Sequence, residues 1–91
     1  MTAAVAPAGL SAALLAEALA LAESAAGARE GAALLRQRFA PMRVVVVDAF
    51  DMRAEKPAAK GAQRALYLAA SDGHCWSVTA DPAEAVGFFI A

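Results

Sequence analysis

The chain has 91 residues, a net charge of −1 and a single cysteine in a composition that is 60% hydrophobic. A chain this short is one domain, 1–91, with a narrow stability margin. One cysteine excludes an internal disulfide framework, and the charge argues against a nucleic-acid backbone as partner. The apolar stretch before Glu17 is interrupted by Pro7, Gly9 and Ser11 and is too short to span a bilayer. The first basic residue is Arg29, so no targeting leader and no membrane partner are expected, and a cytoplasmic location fits best.

Residues 1–10 have no period and read as a flexible arm. Ser11 is a good N-cap, and residues 12–26 read as a helix rich in alanine and leucine. Leu10, Leu14, Ala18 and Leu21 recur at helical spacing, with Glu17 and Ser24 opposite. Gly27 is expected to close this helix as a left-handed cap. A second helix follows over 29–39, with Leu35 and Phe39 one turn apart and Pro41 as its stop. Residues 11–40 thus form a helical hairpin.

From Arg43 the pattern is β, in a region 43–91. Residues 43–50 are β-branched and continuously apolar, which predicts a strand covered on both faces. Residues 51–63 read as a long charged loop with Pro57 and Gly61. Residues 64–70 and 74–79 flank Asp72-Gly73, a strong hairpin signal. A two-residue loop sets Ala69 opposite Trp76 and Tyr67 opposite Val78, so these four share one face. Asp81 and Pro82 start a single helical turn, and residues 86–90 form a last strand. Helices followed by strands give an α+β fold: a helical hairpin on one face of a small, mainly antiparallel sheet of three to four strands.

Asp72-Gly73-His74-Cys75-Trp76 holds the only histidine, cysteine and tryptophan of the chain. His74 and Cys75 suggest thiol chemistry, but neighbours on a strand point to opposite faces and no second histidine is present. Cys75 is therefore expected to be a small core residue. One histidine and one cysteine cannot fill a tetrahedral metal site alone, although a homodimer could double them. Tyr67 and Trp76 are core if the helices cover their face, and a contact patch if they do not. The glycines make no phosphate-binding pattern, and no cofactor is implied.

All eight Lys and Arg lie within residues 29–64. Arg53, Lys56, Lys60 and Arg64 make a plausible handle for an acidic protein surface. Phe88 and Phe89 belong to the last strand, which is either central or an edge; as an edge it could extend its sheet onto a second copy or a partner.

Leu66-Tyr67-Leu68, His74-Cys75, Val78-Thr79, Asp81-Pro82 and Gly87 before a final apolar strand resemble a family of small bacterial proteins of unknown function that accompany nitrogen-fixation genes. The resemblance covers 66–91. It implies a cytoplasmic accessory protein that acts by binding, near nitrogenase or its assembly and protection machinery, and carries over no residue role. From exclusion the residues point the same way, to a non-enzymatic module that binds a protein partner. A homodimeric small-ligand- or metal-binding protein and a thiol-dependent enzyme using Cys75 are the alternatives.

Overall fold

The computed structural model describes residues 11–91; the expected arm at 1–10, and Leu10 with it, lies outside them. Ser11 caps helix α1 (Ala12–Ser24), its Oγ accepting the Leu14 N–H at 3.1 Å. Helix α2 spans Ala28–Arg38. Gly27 is extended, with φ −154°, and is the N-cap of α2 rather than a left-handed cap of α1. Ala25, also extended, already ends α1, so no left-handed residue is needed there. The Glu17 carboxylate clasps Arg38 across the hairpin through both Nε and Nη2.

Five strands form one mixed sheet: β1 (Arg43–Val46), β2 (Ala59–Lys60), β3 (Ala65–Ser71), β4 (Trp76–Thr79) and β5 (Gly87–Ile90). Their order is β1-β5-β3-β2, with β4 further along the same side of β3 as β2. The fold is α+β as expected, but β1 runs parallel to β5 while the other pairs are antiparallel. A parallel pair requires a crossover, and here the crossover is everything between residues 47 and 86.

One open choice is decided and two expectations need correction. The last strand, central or edge from the sequence, is central, because β1 and β3 flank it. The charged loop 51–63 contains β2 and, before it, a succession of turns held by bonds such as Glu55 N–H to the Met52 carbonyl at 2.9 Å. Strand β1 is not covered on both faces: only Val44 is buried.

The helices pack on one sheet face. Ala18 and Ala22 from α1, and Ala32, Leu35 and Phe39 from α2, close over Val44, Leu66, Leu68, Phe88 and Ile90. Alanines let the helices approach the sheet closely, and larger leucines of α1 seal the margin. Phe39 meets Phe88 edge to face, with ring centres 5.5 Å apart. Tyr67, Ala69, Trp76 and Val78 do share a face, and it is the opposite one. In the hairpin, Ser71 faces Trp76 and Ala69 faces Val78, so the connection has four residues rather than two. That slip of two keeps each side chain on the face the two-residue loop assigns to it. Asp81 caps a short 3-10 helix (Pro82–Glu84) by accepting the Ala83 N–H.

Candidate functional site

The segment after β1 leads from one side of the sheet to β2 on the other, and so crosses β5 and β3. It shares a cleft with Tyr67 and buries Met52, which places the crossing on the face away from the helices. Tyr67 is consequently 5% exposed, whereas Trp76, further along the same face, is 39% exposed. The two aromatics expected to behave alike are split: one lies under the crossover, the other on open sheet. Trp76 as a core residue is thereby corrected, since no helix covers its side.

The open part of this face is built from one row of the sheet. Arg43, Gly87, Ala69 and Val78 stand side by side on β1, β5, β3 and β4. Gly87 and Ala69 give the row a low floor, over which Arg43 reaches to within 5.9 Å of the Trp76 ring centre. Ala69 is fully buried beneath. Next to this pair lie exposed Val45 and half-buried Phe89. Trp and Arg are the side chains most enriched where binding energy concentrates at interfaces. This pairing escapes sequence reading because β1 and β5 are far apart in the chain. The one hint was small residues, Ala69 and Gly87, inside apolar strands.

The turn 72–75 is held by Asp72. Its Oδ1 accepts the N–H of Cys75 at 2.8 Å and of His74 at 2.9 Å. These two bonds, Cys75's foremost, hold the Asp72 carboxyl below its ordinary value. Gly73 takes φ +97°, with open space where a Cβ would stand. His74 and Cys75 are both exposed, which corrects Cys75 as a core residue: the four-residue loop lifts it out of the strand. Exposure alone does not build chemistry. The groove that Cys75 lines also contains Asp72 and Glu84 but not His74, so the two residues that suggest thiol chemistry do not share it. Among the described residues no three His, Cys, Asp or Glu side chains gather where a metal could sit.

The basic residues also separate. Arg53, Lys60 and Arg64 line one cleft with Met52, Pro57 and Tyr67. Lys56 lies in a neighbouring groove beside Leu15 and Val78. Phe88 is fully buried, so it is no contact residue, and with both edges of β5 paired the expected sheet extension through that strand cannot occur. Among the described residues no helix is long and apolar enough to cross a membrane.

No protein-family model, no curated protein and no solved structure matches this chain.

Proposed function

We propose that this chain is a small non-enzymatic accessory protein that binds a protein partner with the uncovered part of its sheet, around Arg43, Val45 and Trp76. One observation carries the reading. A two-layer domain with helices on a single face leaves an exposed tryptophan, stacked with an arginine, on the other. Such a patch has the composition of an interface centre: a rigid aromatic anchor, a cation beside it and a rim of smaller apolar groups. Arg43 suits an acidic group on the partner. The resemblance of residues 66–91 to proteins that accompany nitrogen-fixation genes adds the expectation that the partner belongs to nitrogenase or to its assembly or protection machinery.

Affinity capture from a nitrogen-fixing bacterial host tests the reading. The wild-type chain should retain a discrete partner, and Trp76→Ala should weaken that capture by roughly 30-fold, the effect of one strong interface anchor. Substitution of exposed Arg29 on α2 should leave it intact. Equal capture by wild type and Trp76→Ala would rule this face out.

A further inference from the structure

We infer that the cleft between the crossover segment and the β2–β3 turn binds a small organic carboxylate with an apolar body. The cleft has a volume of about 310 Å³, at the small end of ligand sites. Arg53, Lys60 and Arg64 all line it, against one acidic side chain, Glu55. None of the three is in an ion pair among the described residues, where Arg38 with Glu17 is the sole pair. Three cationic side chains against one acidic side chain leave the lining with a positive excess, and a bound anion relieves the resulting repulsion.

The two guanidinium groups are held in place from behind. Glu23 Oε2 accepts the backbone N–H of Gln63 at 2.9 Å and of Arg64 at 2.7 Å, fixing the turn from which Arg64 projects. Arg64 Nη1 donates to the Gln63 carbonyl at 3.0 Å. Its Nε is shut away from water and has no acceptor, and Nη1 is taken by Gln63, so Nη2 is the nitrogen left to meet an anion in the cleft by a charged hydrogen bond. Arg53 donates through Nη1 to the Phe50 carbonyl at 2.8 Å and stacks 4.0 Å from the Phe50 ring centre. Buried Met52, the Tyr67 ring and Pro57 supply apolar wall for the rest of the ligand. Neither Arg43 nor Trp76 lines this cleft, so the inference stands apart from the partner-binding reading.

Amide chemical-shift titration of the full chain tests it with benzoate, its neutral isostere benzamide, and inorganic phosphate. Benzoate should shift the amides of Met52, Arg53, Gly61 and Arg64 saturably, at roughly 10 mM or below for a ligand of that size. Benzamide should not, and Arg64→Gln should weaken benzoate binding by about tenfold, as loss of one charged hydrogen bond requires. Lys60→Gln, at an exposed position, gives a second reading of the charge dependence if Arg64→Gln fails to fold. The inference is overturned by an absence of saturable benzoate shifts, by equal binding of benzamide, by phosphate binding as tightly as benzoate, or by unchanged benzoate affinity in both variants.

Discussion

The Arg43 guanidinium lies 5.9 Å from the centre of the Trp76 ring, although β5 and β3 separate their strands. The contact exists because the intervening strands present Gly87 and Ala69 at that row. A larger residue at either position would hold the two side chains apart. Packing inside the sheet and the Arg43–Trp76 surface are therefore one arrangement.

Gly87 is the tightest point of that arrangement. A Cβ there would run into the Arg43 carbonyl oxygen and lie 3.1 Å from Arg43 Cβ. Backbone cannot yield as a side-chain end can, so Gly87→Ala should cost roughly 2 kcal/mol. In a domain of this size that lowers Tm by about 10 °C. Gly73→Ala meets open space and carries only the strain of its positive φ, about 1 kcal/mol. Urea denaturation of the two variants should rank them in that order; the reverse ranking would refute the close packing at Gly87.

Glu23 joins α1 to the β2–β3 turn by accepting two backbone N–H groups. Glu23→Ala leaves the Arg64 N–H without an acceptor in a part-buried place and the exposed Gln63 N–H to water, at a cost of roughly 1 kcal/mol. Hydrogen exchange should accelerate at Gln63 and Arg64 ahead of the rest of the sheet. Unchanged protection at both amides would mean that the carboxylate contributes nothing.

Asp72 confers a pH dependence on the turn. Its carboxyl is held below the ordinary 3.8 by the N–H groups of Cys75 and His74. A depressed folded-state value means the stabilisation is complete above 3.8 and is lost as pH falls through the lower folded value. The His74 and Cys75 amide shifts should titrate together with a midpoint below 3.8, and Asp72→Asn should abolish that titration. A midpoint at or above the ordinary value would refute the hydrogen bonding.

Among the described residues strand β1 is an edge of the sheet. Arg43 and Val47 donate toward β5, and alternation turns the polar groups of Val44 and Val46 outward. The Arg36 guanidinium occupies one of them, donating to the Val44 carbonyl at 2.8 Å. Edges left open invite pairing with other chains. Arg36→Ala should therefore raise self-association in light scattering while leaving the helix content unchanged. A variant with the same mass distribution as wild type would show that Arg36 does not guard the edge.

Much local chemistry was legible in the sequence, though Gly27 caps the second helix rather than the first and the hairpin loop has four residues rather than two. Ser11 and Asp81 cap as their side chains dictate, and the Asp72-Gly73 hairpin forms where expected. What escaped was non-local. Nothing near residues 43–46 or 87–90 announces that they pair in parallel, because the pairing depends on how the intervening strands fold. The buried face was equally hidden: Leu66, Tyr67, Leu68 and Ala69 are all buried, so alternation could not say which side the helices take. Tyr67 owes its burial to the crossover, whose path no periodicity reveals. Among the site residues, Trp76 was visible as a rare residue, but its partner Arg43 was visible only as the start of a strand.

Site-specific photo-crosslinking in a nitrogen-fixing host tests the proposed partner-binding face most directly. A photoreactive residue in place of Val45, exposed beside Trp76 on the open face, should yield an adduct with one discrete heterologous protein. The same residue in place of Arg29 on α2 should yield none. An adduct from the Arg29 position but not from Val45, or an adduct with the mass of two copies of this chain, would contradict the account.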